Sequence, residues 1–159
     1  MNCLISLEEI KLIRSTLKAD NKKVVFTNGC FDIIHAGHID YLNKAKALGD
    51  ILIVGLNKDD SVKRIKGDKR PIINQDERAE IISNIKPVDY VVFFDEDTPA
   101  ELINKLVPDI LIKGADWKID EIAGWETVLA NGGEVKTIEF VNDQSTSQII
   151  DLITSRYSK

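Results

Sequence analysis

Cysteine and methionine are scarce in this 159-residue chain: Cys3, Cys30 and a single Met. The two thiols form no C-x-x-C pair, which argues against a disulfide scaffold or a zinc module and makes the cytosol the expected compartment. No apolar run, not even 51–54, approaches the roughly 18 residues that cross a bilayer. Glu8, Glu9 and Lys11 interrupt any leader-like stretch near the start. An N-x-[ST] sequon is also missing. Positive charge is in deficit, with 21 basic residues against 26 acidic ones and a net charge of −5. Such a chain is a poor general ligand for nucleic acid or an anionic membrane, so an anion site must come from a local basic cluster. There is no repeat, low-complexity segment or Pro/Gly-rich linker. One domain over 1–159 is expected, with 1–22 as an N-terminal helical extension. A hydrophobic fraction of 43% and a charged fraction of 30% suit a soluble globular protein.

What is present is an alternation of helices and short apolar strands. Ser6 and Glu9 form a capping box for a helix reaching Ala19, with Leu7, Ile10, Ile13 and Leu17 on one face. Strands are predicted at Val24–Phe26, Ile51–Val54, Val88–Phe94, Ile110–Ile112 and Val135–Phe140. Between them, helices are predicted from Gly37 to Leu48 (closed by Gly49), from Asn74 to Ile85, from a Thr98 cap with Pro99 at the first position, and from Glu121 to Asn131. Ser145–Ser155 closes the chain as a helix. Continuous rather than alternating apolar strands mean a parallel sheet covered on both faces. Its ligand edge lies beyond the carboxyl ends of the strands.

The chemistry collects at that edge. His35 and His38, the only histidines, flank Gly37 where a loop enters a helix, and a helix N-terminus offers free N–H groups to a phosphate. Lys63, Arg64, Lys66, Lys69 and Arg70 crowd after the second strand, where Gly67 and Pro71 argue for a mobile loop acting as a phosphate clamp. Lys113, Asp116 and Trp117 follow the fourth strand, and Asn142–Ser147 the fifth. Ser145 with Gln148 reads as a capping box whose hydroxyls and amides also suit β- and γ-phosphates.

The ordered set Thr27-Asn28-Gly29, Phe31-Asp32, His35-Ala36-Gly37-His38, Lys66-Gly67-Asp68 with Arg70-Pro71, Lys113-Gly114 and Ser145-Thr146 resembles the H-x-G-H nucleotidyltransferase superfamily, nearest to the adenylyltransferase domain of ADP-heptose synthases. The resemblance implies a Rossmann-like three-layer α/β sandwich with a five-stranded parallel sheet in the order 3-2-1-4-5. It implies transfer of an adenylyl group from ATP to a sugar 1-phosphate, D-glycero-β-D-manno-heptose 1-phosphate, with loss of pyrophosphate. His35, His38 and Lys66 are then the catalytic residues. Thr27, Asn28, Gly29, Phe31, Asp32, Gly37, Ser145, Thr146 and Ser147 bind nucleotide. Arg70, Arg78, Lys113, Asp116 and Trp117 bind the acceptor. Mg²⁺ is expected through the nucleotide phosphates and water rather than a protein cage. The partners are small molecules, with neither nucleic acid nor membrane, and a homodimer is expected from the base rate. Ala115 departs from related patterns, as do Asn142, Asp143 and Gln144 before Ser145, with no arginine from there until Arg156. A glycerol-3-phosphate cytidylyltransferase and a non-catalytic nucleotide-binding module stay open as alternatives.

Overall fold

The computed structural model describes residues 3–139 and 145–158. Five parallel strands, β1 (Val24–Gly29), β2 (Ile51–Asn57), β3 (Tyr90–Phe94), β4 (Ile110–Gly114) and β5 (Glu134–Ile138), lie in the order β3-β2-β1-β4-β5. β1 pairs with β2 from Val24↔Ile51 to Gly29↔Leu56, and on its other side with β4 through Val25↔Ile110. The sheet therefore grows from β1 in both directions, and the crevice between β1 and β4 at the carboxyl edge is the switch point.

Successive side chains of a strand face opposite ways, so β1 feeds two cores. Val25, Leu52, Val54 and Ile112 pack with Leu42 and Ala45 of α2 (Ala36–Lys46) and Ala79 and Ile82 of α4 (Gln75–Ser83). Val24, Phe26, Ile53 and Leu111 pack on the other face. There they meet Ile10 of α1 (Leu7–Ala19), Leu102 and Ile103 of α5 (Ala100–Leu106) and Val128 of α6 (Trp125–Ala130). The N-terminal segment is built into the sheet: Ile5 donates to Val91 O, Val91 donates to Cys3 O, and Ile10 is fully buried. Among the described residues no helix is long and apolar enough to cross a membrane.

Several boundaries differ from the sequence reading. The basic stretch is not mainly loop: Asp59–Lys66 forms helix α3, with Asp59 and Asp60 in its first turn and Lys63, Arg64 and Lys66 in its last. That charge order complements the helix dipole, and Val62 is buried beneath it. Thr98 does not cap α5; Pro99 holds the cap position. The helix expected from Glu121 begins only at Trp125, because Gly124 sits at φ +85° and breaks it from a short 3₁₀ turn, Ile119–Glu121. Gly49 lies beyond the end of α2, whose cap is Ala47. Its lack of a side chain serves packing instead, since a Cβ there would stand 2.7 Å from Val25 Cγ2. β3 starts at Tyr90 rather than Val88. The expected end of β5 at Phe140, and the segment from Asn142 to Gln144, lie outside the described residues.

Candidate active site

The loop after β1 enters α2 with His35 in the cap position in extended conformation, with no side-chain cap of its own. The first amides of α2 are thus open toward the sheet edge. His35 and His38, three residues apart, stack with ring centroids 4.0 Å apart, and Phe31 packs on His38 at 5.3 Å. Phe31 holds a left-handed backbone at φ 45°, unusual for a bulky residue, and is nearly buried. Gly29 makes room for it: a Cβ there would touch the Phe31 ring at 3.0 Å. Burial, and then the neighbouring His35, lower the His38 pKa to about 4. Burial alone lowers that of His35. Nδ1 of both rings and Oδ1 of Asn28 are buried without a hydrogen-bond partner among the described residues. The lowered pKa values favour the neutral form of both rings at neutral pH.

They face a cavity of about 700 Å³ at the switch point. Its walls come from the ends of three strands and from the start of α7 (Thr146–Tyr157). Asn28, Gly29, Phe31, Asp32, His35, His38, Lys66, Arg70, Lys113, Asp116, Trp117, Ser145, Thr146 and Ser147 all line it. Ser145 caps α7 by accepting from Gln148 N, while Gln148 Oε1 accepts from Ser145 N, the capping box read from the sequence. Thr146 Oγ1 donates to Ile33 O, tying that helix start to the histidine loop. Lys113 Nζ has one long bond, 3.4 Å to Asn28 O, and stands 5.4 Å over the Trp117 ring. Burial lowers its pKa to about 8. The Lys113 ammonium is therefore a poorly satisfied charge at the cavity wall.

Asp32 is not free to hold a ligand or a metal. Its Oδ1 accepts from Ile72 N and Ile73 N, each at 2.9 Å, and its Oδ2 accepts from Arg70 Nε at 2.5 Å. Burial opposes its ionisation, but these amides and the Arg70 guanidinium outweigh burial and hold its pKa below the usual carboxylate range. The Nε contact leaves the terminal amines of Arg70 without partners among the described residues, at the cavity.

Other expected contacts stand off the cavity wall. Thr27 is fully buried against Tyr41 Oη at 2.7 Å, and Gly37 is buried in the first turn of α2. Arg78 does not reach a substrate: it is fully buried and spends its donors on protein acceptors. The basic cluster is also reduced. Arg64 pairs with Asp97 at 2.7 Å and with Asp95, and Lys63 pairs with Asp60, so only Lys66 and Arg70 line the cavity. Cys30, Asn57, Ile65, Asp97, Thr98, Pro99, Glu121 and Ala123 also line the wall, although the sequence assigned none of them a binding role. Asn57, a lone polar residue closing an apolar run, is the one with a visible signal.

A doubly covered parallel sheet in this order, with a cavity lined by histidines and cations at its switch point, defines a Rossmann-like α/β domain. Residues 26–152 match the cytidylyltransferase-like family, and the chain belongs to that family. It is 58% identical over 136 residues to the bifunctional protein HldE of Citrifermentans bemidjiense, a match covering 86% of this chain and 28% of that protein. The chain thus spans about a third of the length of such relatives. The lipopolysaccharide core biosynthesis protein from Thermoplasma volcanium superposes with a TM-score of 0.62 at 34% identity, covering 77% of this chain and 99% of that one. The pantoate-β-alanine ligase of Francisella tularensis, at 14% identity and the same TM-score of 0.62, shares the fold.

Proposed function

We propose that the chain transfers an adenylyl group from ATP to D-glycero-β-D-manno-heptose 1-phosphate, giving ADP-heptose and pyrophosphate. The observation that carries this reading is the stacked, neutral His35–His38 pair with unpartnered nitrogens, facing a cavity also lined by Lys66, Arg70 and Lys113. A phosphate oxygen of the sugar 1-phosphate attacks the α-phosphorus in line. The bond from that phosphorus to the bridging oxygen breaks, and pyrophosphate leaves with the electron pair. The nucleophile is already an anion, so no protein nucleophile or general base is needed; positioning and charge stabilisation supply the catalysis.

The imidazoles donate hydrogen bonds to the phosphate oxygens and the leaving group as charge builds there. Lys66 and the free amines of Arg70 clamp the anionic substrates, and the first turn of α7 offers its hydroxyls and amides to the triphosphate. Lys113, Asp116 and Trp117 face the acceptor. Magnesium, carried mainly by the nucleotide phosphates and water, would neutralise phosphate charge here. Likeness to HldE proteins supports this acceptor over glycerol 3-phosphate.

The test is incubation with each nucleoside triphosphate and the heptose 1-phosphate, reading pyrophosphate release and product mass. ADP-heptose is the expected product. Tight ATP binding with no pyrophosphate from any sugar phosphate would overturn the assignment.

A further inference from the structure

Arg78 touches no part of the cavity, yet its partners all belong to segments that build it. Nη1 donates to Cys30 O at 2.6 Å, Nε to Ile73 O at 3.0 Å, and Nη2 to Asn57 O at 2.8 Å and Asp59 Oδ1 at 2.7 Å. Cys30 and Asn57 line the cavity, Asp59 opens the helix that carries Lys66, and Ile73 ends the strap that carries Arg70.

The contacts close on themselves. The Ile73 N–H donates to Asp32 and its carbonyl accepts from Arg78; Arg78 also holds Cys30, two residues before Asp32. Asp32 in turn grips Arg70 Nε. We infer that Arg78 is a positioning residue for the nucleotide site: by closing this ring it fixes the strap against the histidine loop and aims the free amines of Arg70 into the cavity. The planar five-donor guanidinium is what the task requires, because an ammonium presents its three donors from a single atom and cannot span four acceptors in different directions. Asp59 supplies the counter-charge that makes the buried cation tolerable.

The kinetic half of this inference rests on the proposed reaction; the structural half does not. In Arg78→Lys, amide exchange at Ile72 and Ile73 is expected to accelerate by about tenfold or more while the amides of Phe26, Ile53 and Leu111 hold their rates. In the same variant kcat/KM for ATP is expected to fall by about tenfold or more, and Arg70→Ala added to it is expected to cost far less than Arg70→Ala alone. A residue that merely held α4 in place would give multiplicative losses and uniform loosening. Unchanged exchange at both amides, or independent losses, overturns the inference. If the unaltered chain transfers nothing to any sugar phosphate, the reaction is at fault, and the same cycle is read in ATP affinity by calorimetry. If Arg78→Lys does not fold, Asp59→Ala loosens Arg78 without removing any contact of Arg70, and the same faster exchange at Ile72 and Ile73 and the same non-additivity with Arg70→Ala are expected; independent losses overturn the inference.

Discussion

His38 combines three features that a packing residue does not need together: a stacked partner imidazole, an unpartnered buried nitrogen, and a pKa lowered to about 4 by burial and His35. Loss of one such donor to developing phosphate charge costs about 10²–10³ in turnover. His38→Ala is therefore expected to lower kcat by about a hundredfold or more with an unchanged far-UV circular dichroism spectrum. A folded variant with near-normal turnover removes the imidazole from the mechanism. Lys113 makes the opposite trade. Its pKa, lowered by burial to about 8, means that holding the ammonium at pH 7 works against folding, and that burden lifts only as pH climbs past the lowered value. Lys113→Met is expected to raise the thermal midpoint by roughly 3 °C for about 1 kcal/mol relieved. Acceptor KM should rise several-fold in the same variant, which steady-state kinetics will show.

At the scale of elements, α7 is held differently from the others. None of its residues is buried, and its firm points are the Ser145–Gln148 box and the Thr146 bond to Ile33. Ser145→Ala should cost α7 about 1 kcal/mol. Faster amide exchange should be confined to that helix, the global melting temperature should barely move, and KM for ATP should increase.

The capping boxes at Ser6 and Ser145 and the cap at Asn74 were legible because a cap is a local pattern written in three or four consecutive residues. Strands β1, β2 and β4 were legible because burial on both faces calls for a continuous apolar run. Helix α3 was hidden: of its eight residues only Val62 and Ile65 are large and apolar, and Gly67 just beyond it draws the eye to a loop. Arg78 was misread for a different reason. Three of its four acceptors are backbone carbonyls from distant segments, and a carbonyl has no letter in a sequence. The histidine loop, by contrast, carried its own signal, since two imidazoles at a strand-to-helix turn have little packing purpose.

Across the whole molecule, the two edges of the sheet divide the labour. The carboxyl edge carries the cavity, with its strained Phe31 and half-satisfied cations. The amino edge is tied by a carboxylate: Asp109 accepts from Val24 N at 2.7 Å and from Arg14 Nη2 at 2.8 Å, while Arg14 also donates to Val107 O and keeps only Nη1 without a partner among the described residues. Asp109→Ala is expected to lower stability by about 1–2 kcal/mol, a figure discounted for partial exposure of the carboxylate. The urea midpoint should fall with kcat unchanged. Any large change in kcat would mean that the edges are coupled.

The neutral state of the two stacked rings also sets the traffic of hydrogen ions between the molecule and its buffer. Both histidines have depressed pKa values in the free chain, and a polyphosphate settling against them pulls those values upward, so loading draws protons from solution near neutrality and none well above pH 8. Calorimetric heats of ATP loading should then scale with the ionisation enthalpy of the buffer, with a positive slope at pH 6.5 that flattens toward pH 8.5, and affinity should strengthen as the medium is acidified across that span.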